Sequence, residues 1–195
     1  MRMGTFLIII VIIVAILFLW VIGIYNKLIR FIEAIQNNKR QIDIQLDRRM
    51  KVFESLINVV KKYMNYEQTT LKDVVKLRNQ AQTAQAQGDE KTRMQVENQI
   101  STIARGINVV FENYPDLKAD KNAMQLQEEI VNTENKLAFA KQAYNDSIER
   151  YNAEKKSFFQ SMVVNMFKKA LDKSFEYWAI TDEKRASAED YRVEL

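Results

Sequence analysis

Hydrophobic and polar positions divide this chain into one stretch that is apolar all round and several that are apolar on one side only. Phe6–Ile24 (FLIIIVIIVAILFLWVIGI) is a run of nineteen residues with no charge. At about 1.5 Å of rise per residue, a helix of that length roughly crosses a hydrocarbon core of about 30 Å. Its many β-branched residues are no obstacle in lipid, where a helix satisfies every backbone hydrogen bond internally. From Leu28 the apolar positions step by four and three: Leu28, Ile32, Ile35, Ile42, Leu46, Met50, Phe53, Ile57, Val60 and Met64, with Lys39 at one seam position. This is a coiled-coil seam with one extra four-residue step at Leu46–Met50, which locally relaxes a supercoil. No breaker separates it from the apolar run, so a single helix is predicted to continue from one into the other and to end near Asn65–Tyr66.

The same periodicity predicts a second helix over Thr69–Ala86, carrying Leu71, Val74, Val75 and Arg78. Gly88-Asp89 is the best internal break. A third helix follows over Glu90–Asn113 with Met94, Ile100, Ile103, Ile107, Val110 and Phe111, and Pro115 closes it by restricting Tyr114. From Leu126 a fourth helix repeats through Ile130, Thr133, Leu137, Ala140, Tyr144, Ser147, Tyr151 and Phe158. Beyond that, Phe158, Phe159, Met162, Val163, Met166, Phe167, Leu171, Phe175 and Trp178 are interleaved with Lys155, Lys156, Lys168, Lys169 and Lys173. Such a basic amphipathic stretch suits a boundary between water and anionic lipid. Packing of the same aromatics on the bundle end, or on another subunit, is the competing reading. A polar tail from Thr181 is expected to fray. The predicted class is all-α: a transmembrane anchor over 1–25, a long antiparallel helical bundle over 26–160, and the basic segment with its tail over 161–195.

Composition narrows the chemistry. The 195 residues include only 4 Gly and 1 Pro, so turns are few and helices long. There is no Cys and no His, which removes disulfides, thiol catalysis, the commonest metal ligand and the commonest general base. Without His, the carboxylate–histidine metal pairs of ferritin-like bundles are impossible. Glu128, Glu129 and Glu134 offer an all-carboxylate set, but adjacent residues point about 100° apart on a helix, so a solvated face accounts for them better. No Gly-rich phosphate loop, Ser-x-x-Lys or Gly-x-Ser-x-Gly occurs. No enzyme activity, catalytic residue, cofactor or metal is therefore expected. The net charge of +4 comes from 29 basic and 25 acidic residues mixed along the chain, a solvated surface rather than a nucleic-acid footprint.

The apolar run is too long for an ordinary signal-peptide core, and no small-x-small cleavage site follows Trp20, so a retained single span is expected. Arg2 precedes it, whereas Lys27, Arg30, Lys39 and Arg40 follow. The positive-inside bias then puts the N-terminus outside and the C-terminal domain in the cytoplasm. The membrane-interface candidates are Trp20, Tyr25, Lys27, Arg30, Phe158, Phe159, Phe167, Lys168, Lys169, Lys173 and Trp178. Asn132, Glu134 and Gln142, off the strict seam, are candidates for a partner surface. Thr133 and Tyr144 are expected inside, fixing register. Ser101 is expected at an accessible position on the domain.

Several motifs match a known family in order. Tyr25-Asn26-x-Leu28, Ile42-Asp43-Ile44-Gln45-Leu46-x-Arg48-Arg49 and Tyr114-Pro115-Asp116-Leu117-Lys118-Ala119 come first. Leu126-Gln127-Glu128-Glu129, Asn132-Thr133-Glu134-Asn135 and Ala138-Phe139-Ala140-x-Gln142-x-Tyr144-Asn145-Asp146 follow. Together, over roughly residues 20–160, they resemble LemA family proteins. Two departures are Glu54, where the family often has proline, and Tyr66-Glu67, where it often has His-Glu. The stretch beyond Phe158 matches poorly. The resemblance implies a single-span bacterial inner-membrane protein with a bundle of long antiparallel helices, four in number; a three-helix bundle with 69–113 nearly continuous is the structural alternative. It implies no reaction. The expected function is a membrane-anchored, non-enzymatic scaffold for protein–protein interaction, self-associating or holding other proteins. The alternative is an accessory or sensory subunit of a membrane-bound enzyme or proteolytic complex.

Overall fold

A computed structural model describes residues 2–60, 68–113 and 115–178, and among these every regular element is helical. The order is α1 (Arg2–Val60), α2 (Gln68–Gln87), α3 (Glu90–Asn113), α4 (Pro115–Ala119), α5 (Lys121–Lys156), α6 (Phe158–Met166) and α7 (Lys168–Leu171). α1 runs unbroken through the apolar stretch and the seam, as its sequence requires. Its predicted end near residues 65–66, the side chains at Ile57, Val60, Leu71, Ile107, Val110 and Phe111, the turn residue Tyr114 and the tail from Thr181 lie outside what the structure describes.

The helix ends follow local chemistry. Gly88 adopts φ 72°, the left-handed conformation that closes a helix at low cost only for glycine, and Asp89 N–H reaches back to the Ala84 carbonyl at 2.9 Å. Asp89 Oδ1 then accepts the Thr92 N–H at 3.0 Å and caps α3, and those bonds hold its carboxyl below the usual range. Pro115 opens α4, where its missing N–H costs nothing. Asp120 caps α5 through the N–H groups of Asn122 and Ala123 at 2.8 and 3.1 Å.

The chain forms two compact units: Met1–Arg40 with Ala143–Tyr177, and Gln41–Gln142 with Trp178–Leu195. In the first, the seam residues Leu28, Ile32 and Ile35 are buried, as are Tyr144, Ile148 and Tyr151 of α5. α1 and α5 are antiparallel there: Lys27 Nζ meets Glu154 at 2.6 Å, and Asn38 Nδ2 donates to the Ala143 carbonyl at 3.1 Å. α6 and α7 complete this unit, burying Val163, Val164 and Leu171. The sequence-level boundary at 160/161 therefore falls inside it.

The second unit is built from the C-terminal part of α1, from α2, α3 and α4, and from the first part of α5. α2 and α3 pack on each other across the Gly88 turn, so residues 69–113 are not one continuous helix. Met50, Phe53 and Leu56 of α1 meet Val74 of α2, Ile100 and Ala104 of α3, Leu117 of α4, and Ala123 and Ile130 of α5 in one apolar cluster. Burial of a large apolar side chain contributes about 1.5–3 kcal/mol, so this cluster is what holds the five helices together.

Candidate functional site

The first unit carries a collar of aromatic and basic side chains at the end of the apolar stretch. From Met3 to Trp20 every described side chain is exposed, and Ile24 is the first buried one. α1 is the one helix among the described residues long and apolar enough to cross a membrane. α5 arrives alongside it and stops at Lys156; Ser157 takes an extended backbone and the chain turns back into α6. The Phe159 ring meets Trp20 edge-on at 5.0 Å, and Phe167 meets Tyr25 in the same way at 5.2 Å. α6 thus runs beside residues 20–25 of α1. It hides Val163 and Val164 but presents Phe158, Phe159, Met162 and Met166, which share an arc of about 100°, to the outside. Phe158 is 74% exposed and Met166 69%, so this is an uncovered apolar face and not a grazed edge. Phe158 also continues the four-three repeat of the fourth helix in sequence, but α5 ends two residues before it, and its side chain is exposed.

The basic candidates follow in order. Lys27 hydrogen-bonds Glu154, and that bond, helped by Gln160 Nε2 at 2.8 Å, holds the Glu154 carboxyl below the usual range despite partial burial. Arg30, Lys168, Lys169 and Lys173 are exposed, and Lys173 Nζ also reaches the Lys169 carbonyl at 2.9 Å. The segment that carries the three lysines is held by Tyr151, a fully buried residue of α5. Its hydroxyl donates to the Leu171 carbonyl and accepts the Lys173 N–H at 2.9 Å. Tyr144 Oη donates to the Glu176 carbonyl at 3.1 Å, and Lys155 pairs with Asp172 at 3.2 Å. These contacts clamp residues 171–176 along α5. The predicted basic amphipathic stretch is thus two short helices and a strap, because Ser157 and Phe167 interrupt it.

Trp178 corrects an expectation. It belongs to the second unit, is 3% exposed, and lies under the Lys141 ammonium at 4.9 Å, so it is not a membrane-interface side chain here.

In the second unit the partner-surface candidates separate. Asn132 and Gln142 are exposed on α5, but Glu134 turns inward. Its Oε1 accepts from Arg49 Nη1 at 3.2 Å. Arg49 has no exposure at all; it also donates to Ser101 Oγ at 2.8 Å and pairs with Glu97. A turn earlier on α3, the buried Arg93 pairs with Asp43. Burial pushes the Glu97 carboxyl above the usual range; Arg49, Arg93 and Lys141 pull it back only in part, and Glu134 adds to the rise. Ser101, expected to be accessible, is 8% exposed because it faces Arg49. Thr133 and Tyr144 are buried as predicted, each in its own unit. Outward from this cluster, α5 shows a face formed by Val131, Asn135, Phe139 and Gln142, which recur every three to four residues, with the exposed Glu128 one turn before them. Phe139 is 71% exposed, and between 131 and 142 this face bears no charge.

Sequence reasoning missed Arg49, Glu97 and Phe139. A signal existed for the first two: Arg49 precedes seam residue Met50, and Arg93, Glu97 and Ser101 line one face of α3 at four-residue spacing. The paired charges neutralise one another, and among the described residues no group of three carboxylate-type side chains converges to hold a metal.

Comparison with known proteins bears on both units. The LemA family model matches residues 38–189. The match therefore runs through the basic segment, past the point near residue 160 where the motif resemblance weakens. Protein LemA of Metamycoplasma hominis is 28% identical over 142 residues, which are 73% of this chain and 64% of that protein. The chain thus matches just under two thirds of that relative's length.

Proposed function

The chain belongs to the LemA family, and from that premise we propose that it is a membrane-anchored, non-enzymatic helical scaffold. The apolar part of α1 holds it in a bacterial inner membrane by a single pass, with the N-terminus outside and the helical domain in the cytoplasm. The exposed residues 3–20 support the anchor, and the basic residues after the run support the orientation. The absence of His and Cys from the sequence supports the non-enzymatic reading.

The observation that carries the scaffold reading is the outer face of α5 from Val131 to Gln142, which bears no charge. Solvated helix faces normally carry charge, and a Phe left 71% exposed between Asn135 and Gln142, with Lys136 at its edge, has the composition of a protein contact. Asn132 and Gln142 border it, whereas Glu134 serves the interior. The occupant is a second copy of the chain or another protein. The test places a photo-crosslinking amino acid at Phe139 and, separately, at Lys51 on an exposed face of α1. Discrete adducts from 139 that vanish when Val131→Lys is added support a docking face. Identical patterns from both positions would refute it.

The accessory or sensory reading draws on the buried charges around Arg49, since a cluster of this kind is a place where a conformational equilibrium can be biased. It predicts adducts from 139 that come and go with a stimulus, whereas a scaffold keeps them throughout.

A further inference from the structure

The collar in the first unit contains more than an anchor requires. A single span needs only α1, yet α6 leaves an apolar face uncovered right beside the end of that span. We infer that α6 is a second lipid contact: its outer face sits among acyl chains at the membrane–water boundary, and the lysines after it meet anionic headgroups. This rests on the anchoring reading above.

Four observations favour lipid over protein as the occupant. First, the exposed face of α6 is continuous with the exposed apolar stretch, because Phe159 stacks edge-on against Trp20, near the cytoplasmic end of the run. Second, depth and polarity agree along the helix. Phe159 lies beside Trp20 inside the apolar run, and Phe167 lies beside Tyr25 just beyond it. α6 therefore crosses the boundary obliquely, with aromatic rings at the deep end and Lys168 and Lys169 following the shallow end. The two ring contacts lie five residues apart on α1, about 7.5 Å along its axis, within the range of about 5–10 Å that interfacial helices sink. Third, the charge is of the right sign. Residues 152–173 contain five lysines and two acids. Both acids are engaged within the protein, Glu154 by Lys27 and Asp172 by Lys155. Fourth, the segment that carries these lysines is held by Tyr151, so its placement is built into the unit.

The test uses the full chain, which has no native cysteine, in mixed phosphatidylcholine–phosphatidylglycerol vesicles. An environment-sensitive fluorophore is attached at Met162→Cys, at Val14→Cys as a probe of the span, and at Gln99→Cys as an aqueous reference. Met162 is exposed, so labelling there disturbs no packing. The expected result is quenching at 162 and 14 by doxyl groups on the acyl chains, with iodide quenching at 162 several-fold weaker than at 99. Quenching at 14 with free iodide access at 162 would overturn the α6 proposal and leave the anchor standing. A label at 162 shielded from both quenchers would mean that protein covers this face, which also overturns it. No doxyl quenching at 14 would remove the anchor and this inference with it. Changing Lys168, Lys169 and Lys173 to Glu tests the headgroup part. Each basic side chain near the surface contributes about 1 kcal/mol, or about five-fold, so doxyl quenching at 162 should fall in the anionic vesicles and stay unchanged in pure phosphatidylcholine. Equal quenching of parent and variant in anionic vesicles would refute headgroup recognition.

Discussion

Arg49→Met tests the reading of the second unit most directly. The substitution keeps an unbranched side chain of comparable length but removes the guanidinium that serves Glu97, Ser101 and Glu134 together. Glu134, with 20% of its side chain exposed, can turn toward water, whereas Glu97, at 9%, cannot do so readily. Removing one member of a buried ion pair typically costs about 3–5 kcal/mol, because the remaining charge stays desolvated. At about 2–4 °C per kcal/mol for a chain of this size, the midpoint should fall by about 6–20 °C, read by far-UV circular dichroism of the full chain in detergent micelles. Arg49→Met combined with Glu97→Leu should recover most of the loss, since well-packed apolar replacements of a buried pair are often neutral or stabilising. The pH dependence has a definite sign. Burial raises the folded-state pKa of Glu97 above its unfolded value, so the stability linked to this group is fully present below the unfolded pKa and is lost as pH rises through the folded one. Without Arg49 the folded value rises further, and the deficit of the variant should widen from mildly acidic to alkaline pH. A deficit below about 1 kcal/mol that is flat with pH would refute the coupling of the pair.

Two further outcomes follow from the first unit and from topology. Tyr151→Phe leaves the buried Leu171 carbonyl and the Lys173 N–H without their shared hydroxyl and should lower stability by about 1–3 kcal/mol, with faster amide exchange at Lys173 as the local readout. Unchanged exchange there would show that the strap is not held by Tyr151. Gln99→Cys, which replaces Ser101 as a labelling site because Ser101 is buried, should resist a membrane-impermeant maleimide in intact cells until lysis; labelling before lysis would reverse the proposed orientation.

Much of the fold was legible because helical periodicity is a local property. The four-three seam names Leu28, Ile32, Ile35, Ile42, Leu46, Met50 and Phe53, and all of them are buried. Gly88 marked a true break, since only a left-handed residue with no Cβ closes α2 so tightly. Failures occurred where the environment decides. Trp178 reads as interfacial by type and is buried; Phe158 reads as a seam residue and is exposed; Ser101 reads as accessible and supports Arg49. Within the second unit, Arg49 and Phe139 look misplaced by polarity, one charged and buried, the other aromatic and exposed. Polarity alone cannot reveal that Glu97 and Glu134, from two other helices, converge on the first.

What the sequence determined by itself is the all-α class, the apolar stretch that α1 exposes, and the family, because length, periodicity and ordered motifs are carried by near neighbours in the chain. Tertiary structure alone decided which polar groups pair across helices, that α6 turns back beside Trp20, and that the lysines after it are strapped to Tyr151. The physical reason is that desolvation and hydrogen bonding depend on what surrounds a side chain in space, and those surroundings come from residues more than a hundred positions away in the case of Trp20 and Phe159.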